Sequence, residues 1–319
     1  MAKATIVVDI GGSKIASALI YQDGNVEDYG VEDIDRRGGE YVVDQVIEVI
    51  QRHYSNIHGD DLVGVGISIP GIVRGNGLVW APNIRGWRNI NVASIIRRRL
   101  SLSNLVMVDD RVANIIGEYW QGEAKGAGNA ASLMIGTGVA TGLLINGKPL
   151  RGSSGASGAV GWWLLSKRVP KHKSSRGFLE DEVSGPAIFR KTYLHCLRAH
   201  SESCLSVLRN CNPPNAHCVF QMLDQGLTLI KPVLEGAAVI VGITVANLIS
   251  LINPEVVVLS GGVGVEIGRR FMGIIIETTR KIAQPYSLKR CRITVSRLGY
   301  LSNLYGVAKL VLDNSPLVN

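Results

Sequence analysis

The sequence predicts an α/β protein of two domains, and two glycine-rich turns in similar surroundings support this prediction. In residues 5–20, a β-branched apolar run meets an acid, two glycines, a hydroxyl and a lysine, and a second apolar run follows. In residues 131–145, a strand-like run meets glycine, threonine and glycine, and a second apolar run again follows. Such an internal repeat indicates a duplicated unit, so we expect two sheets that begin in the same way.

Each glycine turn is expected to join antiparallel strands, because turn dipeptides follow the second apolar runs at Asp23-Gly24 and Asn146-Gly147. This context excludes the Walker loop, which needs a longer glycine spacing, and the dinucleotide fingerprint, which needs a helix at its third glycine. Bare backbone N–H groups in such turns can approach phosphate oxygens, although the first turn alone fits a tight core hairpin equally well. The repeat favours phosphate binding by Gly11, Gly12, Ser13, Lys14, Gly136, Thr137 and Gly138.

Asp9 stands at the end of the first predicted strand, directly before the first glycine turn. Mg²⁺ keeps most of its hydration and takes few carboxylates from a protein. We therefore predict that Asp9 holds Mg²⁺ through water.

Composition and charge indicate a cytoplasmic protein. The 319 residues suffice for two domains, and no signal-peptide pattern precedes the first strand. The net charge of +8 is spread over short clusters without interleaved aromatic residues, so we expect no nucleic acid partner, while the positive field favours an anionic substrate such as a nucleotide. The apolar residues 236–252 contain polar side chains, which favours a buried helix over a membrane span. The five cysteines lack the pattern of a disulfide framework, and their spacing is not that of a zinc site.

Strands and helices alternate between the two repeats. The predicted elements are strands at 62–69 and 105–108 and helices at 39–53, 91–100 and 112–121. The second of these strands presents Asp109 and Asp110 at its carboxyl end, where open α/β sheets place their ligands. After the second repeat, we expect helices over 184–252, 263–281 and 306–313 and one strand over 255–259. The predicted domains are residues 1–115 and 116–303, and the C-terminal helix at 304–319 is expected to return to the first domain.

In this order and spacing, the chain resembles the ROK family (repressors, open reading frames and sugar kinases) of the actin-like ATPase and sugar kinase superfamily. The resemblance runs from Asp9 to about Leu310. Each motif is weak alone, and their common order is specific. The motifs are residues 9–14, 69–71 and 82–87, the acids 109–110 ahead of Gly117-Glu118, residues 135–138, and residues 253–255 leading into 261–262.

The resemblance implies a two-domain actin-like ATPase fold, with a ribonuclease H-like duplicated core that closes over MgATP and a sugar in an interdomain cleft. Asp110 falls where the family has its general base, which takes the proton of the sugar hydroxyl; an N-cap of the following helix is the alternative role. The family further implies a homodimer and phosphoryl transfer from ATP to a sugar hydroxyl. The remaining implied contacts are Gly261 and Gly262 beside the adenosine, and Asn83, Asp109, Gly158 and Glu180 at the sugar.

The chain departs from the family pattern at the sugar. Asp109 replaces the usual asparagine, and Ala159 and Trp162 replace the usual glutamate and histidine, so an ordinary glucose site is disfavoured. Trp162 is expected to stack on a sugar or to fill the core. The family's zinc motif falls around residues 169–179, which contain His172 but no cysteine, so we predict no zinc site.

Two other functions remain open at this stage. A degenerate sugar or nucleotide sensor of the same fold is one, because the family contains repressors; we expect no DNA-binding domain here, since the first turn begins at about Asp9. A kinase that uses another phosphoryl donor, such as polyphosphate, is the second. The sequence does not identify the acceptor.

Overall fold

The structure is a computed structural model that describes residues 3–57, 61–75, 77–166, 169–170, 176–212 and 214–314. Strands and helices alternate along these residues, as the sequence predicts. The strands are β1 (Ala4–Ile10), β2 (Lys14–Tyr21), β3 (Val26–Asp33), β4 (Leu62–Ile69), β5 (Ile72–Val73), β6 (Val79–Trp80), β7 (Leu105–Asp109), β8 (Ala130–Ile135), β9 (Val139–Ile145), β10 (Lys148–Pro149), β11 (Val256–Ser260) and β12 (Arg292–Val295).

The helices agree with the predicted ones in type and differ in their ends and number. They are α1 (Glu40–Tyr54), α2 (Val92–Leu100), α3 (Asp110–Trp120), α4 (Glu180–Val183), α5 (Gly185–Arg198), α6 (Glu202–Arg209), α7 (Ala216–Asp224), α8 (Lys231–Ile252), α9 (Gly261–Ile282), α10 (Pro285–Leu288) and α11 (Leu301–Leu312). The predicted N-cap of α2 is confirmed, because the side chain of Asn91 accepts a hydrogen bond from the backbone of Ser94 at 3.0 Å.

The two five-stranded sheets have the same strand order, which confirms the predicted duplication. The first sheet has the order β3-β2-β1-β4-β7, and the second has the order β10-β9-β8-β11-β12. In each sheet the first three strands of the repeat lie side by side, and two further strands follow on the side of the first. Strand β12 was not predicted from the sequence; its four residues pair in parallel with β11.

In the first sheet, β1 and β2 form the predicted antiparallel hairpin, closed by a hydrogen bond of 2.7 Å from the backbone N–H of Gly11 to the carbonyl of Lys14. Strands β1, β4 and β7 are parallel, so their carboxyl ends meet at one edge of the sheet. Asp9 pairs with Ser68 in this register, and Ile69 pairs with Asp109. The topology therefore brings the acids of two distant segments to the same edge.

The chain divides into two compact units. Unit 1 contains residues 1–126, 142–157 and 300–319, and unit 2 contains residues 127–141 and 158–299. A core of β-branched residues from β1, β4 and α1 fills unit 1, together with the fully buried Trp87. The indole N–H of Trp87 donates to the carbonyl of Gly39 at 2.9 Å, which anchors the loop that carries Asn83.

Helix α11 packs closely on α3 within unit 1, and two glycines make this contact possible. A Cβ on Gly306 would lie 1.7 Å from the carbonyl oxygen of Ala113, and a Cβ on Gly117 would lie 1.9 Å from that of Ser302. The hydroxyl of Ser302 also donates to the buried carboxylate of Glu118 at 3.0 Å. These contacts fix both the position and the rotation of α11.

Helix α8 belongs to a long apolar stretch of the chain. Among the described residues, one helical stretch, residues 228–252, is long and apolar enough to span a membrane by length and composition. It packs along α9 within unit 2, and half of its most apolar segment is buried there. The structure pairs Cys211 with Cys218 in a disulfide, with Cα atoms 6.4 Å apart, and leaves the other three cysteines, Cys196, Cys204 and Cys291, free. The two cysteines are brought together because α7 begins shortly after α6 ends.

Candidate active site

The predicted site residues fall into two groups, one in each compact unit. The group in unit 1 contains the predicted base and metal acid, the first glycine turn and Asn83. The group in unit 2 contains the second glycine turn, the start of α9, Gly158 and Glu180.

In unit 1, Asp110 is the first residue of α3 and follows directly after β7. Its neighbour Asp109, and not Asp110, is the N-cap of α3, since the Asp109 side chain accepts from the backbone N–H of Val112 at 3.3 Å. The alternative of a capping role for Asp110 is therefore wrong, because the helix begins one residue earlier than that role requires. The carboxylate of Asp110 is not used by this cap.

The environment of Asp110 raises the pKa of its carboxyl to about 7. Removal from water is the largest cause, and the negative charge of Asp109 adds to it, while the positive charge of Arg111 acts in the opposite direction. The negative charge of Asp9 also contributes to the rise. A carboxylate with this pKa is suited to accept a proton near neutral pH.

Asp109 itself is buried and bonded. Its side chain is 2% exposed, and its Oδ1 lies 2.9 Å from Nε of Arg111. The guanidinium of Arg111 donates to three backbone carbonyls as well, those of Gly71, Gly155 and Ser157, at 2.8–2.9 Å. Sequence reasoning missed Arg111. Apart from the nearby Asp109, its hydrogen-bond partners lie at least 40 residues away in the chain.

Asp9 occupies the end of β1 and is partly accessible. Its Oδ1 accepts a hydrogen bond of 3.1 Å from the side-chain amide of Asn303 in α11. Burial raises the pKa of Asp9, and the neighbouring polar side chains of Ser68 and Asn303 oppose that rise. Asn303 was also missed by sequence reasoning; a polar residue within an apolar helical pattern was the available signal, and it did not reveal the partner.

The first glycine turn is exposed at Gly12, Ser13 and Lys14. A Cβ on Gly12 would lie 3.7 Å from Cβ of Asn83, so the structure brings the turn and the predicted sugar contact together. Asn83 is exposed between the buried Ile84 and Ala81, which hold its loop in place.

In unit 2, the second glycine turn lies beside Glu180. Thr137 and Gly138 are exposed, and the Oε2 of Glu180 accepts from the backbone N–H of Val139 at 3.0 Å. A Cβ on Gly138 would lie 3.0 Å from the same oxygen, and one on Gly161 would lie 3.4 Å from it. Burial raises the pKa of Glu180, and the hydrogen bond from Val139 opposes this rise.

The start of α9 also adjoins this turn. Strands β8 and β11 are parallel neighbours, so Gly261 follows β11 next to Ile135 and Gly136. Gly261 has a φ of +72°, and a Cβ there would lie 2.5 Å from the carbonyl oxygen of Ile135. Gly262 is exposed and has open space around it, so a ligand can approach its backbone closely.

The segment that departs from the family pattern is only partly buried. Gly158 has a φ of +81° and accepts from the backbone N–H of Thr141 at 2.8 Å. Ala159 is exposed, and Trp162 is 47% exposed, so its indole does not fill the core. His172, on which the zinc prediction bears, lies outside the described residues.

With the fold and the positions of these residues described, comparison with known proteins identifies the family. The model of the ROK family matches residues 5–314, so the chain belongs to the ROK family of the actin-like ATPase and sugar kinase superfamily. The resemblance and the fold class predicted from the sequence are thereby confirmed.

Individual relatives include both enzymes and regulators. The chain is 29% identical to a glucokinase of Halalkalibacterium halodurans, over 80% of this chain and 79% of that one. It is 27% identical to a xylose repressor of Caldicellulosiruptor bescii, over 79% of this chain and 63% of that one. A crystal structure of a ROK family glucokinase from Streptomyces griseus in complex with glucose and AMPPNP is similar with a TM-score of 0.79 and 24% identity, over 97% of this chain and 99% of that one.

Proposed function

We propose that the protein transfers the γ-phosphoryl group of ATP to a hydroxyl of a sugar or sugar-like alcohol, with Asp110 as the general base. The observation that carries the proposal is the largely desolvated Asp110 carboxylate directly after β7, whose pKa is raised to about 7 near Asp9 and Asp109. Relatives named glucokinase support the reaction class. The proposal includes a homodimeric protein of the cytoplasm with no nucleic acid partner.

In the proposed reaction, Asp110 accepts the proton of the acceptor hydroxyl as its oxygen bonds to the γ-phosphorus. The bond from that phosphorus to the bridging oxygen of ADP breaks, so the products are a sugar phosphate, ADP and one proton. Asp110 orients the hydroxyl and removes its proton, which is the part of phosphoryl transfer that a carboxylate performs best.

In this proposal, both glycine turns supply groups that bind phosphate oxygens. The first turn contributes Gly11, Gly12, Ser13 and Lys14, and the second contributes Gly136, Thr137 and Gly138, through backbone N–H groups and the lysine charge. Gly261 and Gly262 lie beside the adenosine, where the N-terminus of α9 adds a positive dipole. Asn83, Gly158 and Glu180 contact the acceptor.

The chain fits Mg²⁺ bound to the nucleotide. Among the described residues, no three His, Cys, Asp or Glu side chains cluster around a metal position. Mg²⁺ needs only one or two carboxylates when water and phosphate supply its other ligands, and Asp9 offers one carboxylate near the end of β1. The ion would neutralise charge that develops on the transferred phosphoryl group.

Asp109 receives a different role from the predicted one. Its carboxylate is held by Arg111 and caps α3, so we propose that it positions the helix that begins at Asp110 and does not contact the acceptor. The acceptor then loses an acidic contact that the sequence prediction included.

A sugar or nucleotide sensor is the second candidate. It is favoured by the loss of two polar sugar contacts at Ala159 and Trp162, and by the relative named xylose repressor. A sensor of this kind would bind its ligand without turnover.

The experiment is ADP release from MgATP, or phosphate transfer from polyphosphate, across a panel of hexoses, amino sugars, N-acetyl sugars and polyols. Asp110→Asn is the test variant, and Asp44→Asn is its matched control, because Asp44 is a partly exposed acid paired with Arg99. Turnover of one acceptor that only Asp110→Asn abolishes supports the kinase. Nucleotide and sugar binding without turnover of any acceptor supports the sensor.

A further inference from the structure

Asn303 of α11 joins two segments that carry predicted catalytic groups. Its side-chain Nδ2 donates to Oδ1 of Asp9 at 3.1 Å, and its Oδ1 accepts from Nδ2 of Asn114 at 3.2 Å. Asp9 is the next-to-last residue of β1, and Asn114 lies one turn into α3, the helix that begins with Asp110. Three distant parts of the chain therefore meet at one amide.

The polarity of this amide is fixed by its two partners. A carboxylate accepts hydrogen bonds, so the group facing Asp9 is the NH₂ end, and the opposite oxygen then faces Asn114. With both ends engaged, rotation of the amide breaks two hydrogen bonds. One oxygen of Asp9 is thus anchored in a defined direction.

The helix that carries Asn303 is itself held in place. Gly306 and Gly117 allow α11 and α3 to cross at backbone contact, and Ser302, the residue before Asn303, donates to the buried Glu118. Small rotations of α11 would bring its backbone into that of α3. The amide therefore approaches Asp9 from a rigid base.

We propose that Asn303 is a positioning residue, which orients the Asp9 carboxylate toward the nucleotide-bound metal and ties that orientation through Asn114 to the helix of Asp110. This inference rests on the proposed function, since it takes the role of Asp9 from there. Groups that hydrogen-bond to a metal-binding side chain set its orientation, and their removal typically costs about 10–100-fold in metal affinity or activity.

Asn303→Leu removes both hydrogen bonds and keeps a side chain of similar length. Asn303→Ser is the second variant, which keeps a hydroxyl that is too short to span both partners and protects the test if the leucine variant fails to fold. Asn114→Leu removes the distal bond alone, so its effect is expected to be smaller. Tyr305→Phe is the matched control, because it removes a hydrogen bond of 3.2 Å from the same helix to the carbonyl of Gly24, away from Asp9.

The test measures binding of Mn²⁺ to the full-length protein, by electron paramagnetic resonance, with a non-hydrolysable ATP analogue at saturation. Steady-state kcat and KM with Mg²⁺ are measured in parallel. We expect the Mn²⁺ dissociation constant to rise by about 10–100-fold in Asn303→Leu and Asn303→Ser, with wild-type affinity in Tyr305→Phe. A positioning role predicts a loss in kcat with the KM for the acceptor unchanged.

Wild-type Mn²⁺ affinity in both Asn303 variants overturns the inference, as does an equal loss in Tyr305→Phe or the absence of Mn²⁺ binding by the wild-type protein. The inference and the proposed function fail separately. If the wild-type protein transfers no phosphoryl group but the Asn303 variants bind Mn²⁺ more weakly than it does, the kinase is refuted and the positioning role is supported. If the wild-type protein is active and the Asn303 variants bind Mn²⁺ with unchanged affinity, the kinase is supported and the positioning role is refuted.

Discussion

The guanidinium of Arg111 lies 2.9 Å from the carboxylate of Asp109, and both side chains are buried directly beside Asp110. The same guanidinium bonds to the carbonyls of Gly71 and Gly155, so one side chain connects the end of β7 to two loops of unit 1. Arg111 is thus paired with Asp109, while its positive charge opposes the raised pKa of the adjacent Asp110.

Arg111 and Asp109 should contribute jointly to the free energy of unfolding. We expect Arg111→Met to lower the free energy of unfolding by about 3–5 kcal/mol, because it leaves the Asp109 charge buried without its partner. Asp109→Asn combined with Arg111→Met should lose less than the sum of the two single variants, because no uncompensated charge remains, although the three carbonyls still lack the Arg111 donor. Chemical denaturation of the two single variants and the double variant measures the coupling; strictly additive losses would show that the pair is not a unit.

Asp110→Asn should stabilise the protein at neutral pH while it removes activity. The folded state raises the pKa of Asp110 from 3.8 to about 7, so it binds more protons than the unfolded state between these values. Wild-type stability contributed by this group is therefore present below pH 4 and is lost as the pH rises toward 7. In thermal unfolding, the Tm of Asp110→Asn should be higher than that of the wild-type protein at pH 8 and equal to it near pH 3.5. The same difference in Tm at both pH values would contradict the raised pKa of Asp110.

The same pKa predicts the pH dependence of catalysis. A general base must be deprotonated, so kcat/KM for the acceptor should rise with pH and level off above about 7. The residual activity of Asp110→Asn should lack this dependence. A profile that is already flat between pH 5 and pH 8 in the wild-type protein would assign the base elsewhere.

Neighbouring glycines at the start of α9 should respond differently to alanine. Gly261→Ala places a side chain at φ +72° and 2.5 Å from a carbonyl oxygen, so a loss of stability of at least about 1–3 kcal/mol is expected. Gly262→Ala meets open space and should leave stability unchanged while it raises the KM for ATP. Equal stability losses for the two variants, from denaturant titrations, would be inconsistent with this geometry.

Restoring the family residues at the sugar should change the acceptor. Ala159 and Trp162 are exposed, so Ala159→Glu with Trp162→His can be introduced without disturbing the core. Two regained hydrogen bonds should raise kcat/KM for glucose by about ten-fold or more. Ala159→Gln with Trp162→Phe is the control, and an equal gain in that variant would attribute the effect to loss of the indole.

Local patterns in the sequence were sufficient for much of the fold. The β1–β2 hairpin, the strand that ends at Asp109 and the cap at Asn91 follow from apolar periodicity and turn chemistry within a few residues. The short strand β12 gave no such pattern, since its residues are only partly buried. The duplication was visible because both glycine turns keep the same local arrangement.

The connections around the site were beyond such patterns. Asn303 and Asp9 are 294 residues apart, and nothing local to either residue indicates the other. Arg111 stands near a helix start in the sequence, whereas its hydrogen bonds go to carbonyls of loops that the fold brings to it. Contacts of this kind arise when elements that are distant in the chain pack together. The residues that neighbour Asn303 or Arg111 in the sequence do not indicate these partners.

Phosphoryl transfer at Asp110 can be tested by transfer of a radiolabelled γ-phosphate from ATP to the best acceptor of the panel. We expect a labelled sugar phosphate from the wild-type protein and a rate lower by about 10²–10⁴-fold in Asp110→Asn. Equal labelling by the two proteins, or no labelling by wild-type protein that binds both ATP and the sugar, would contradict it.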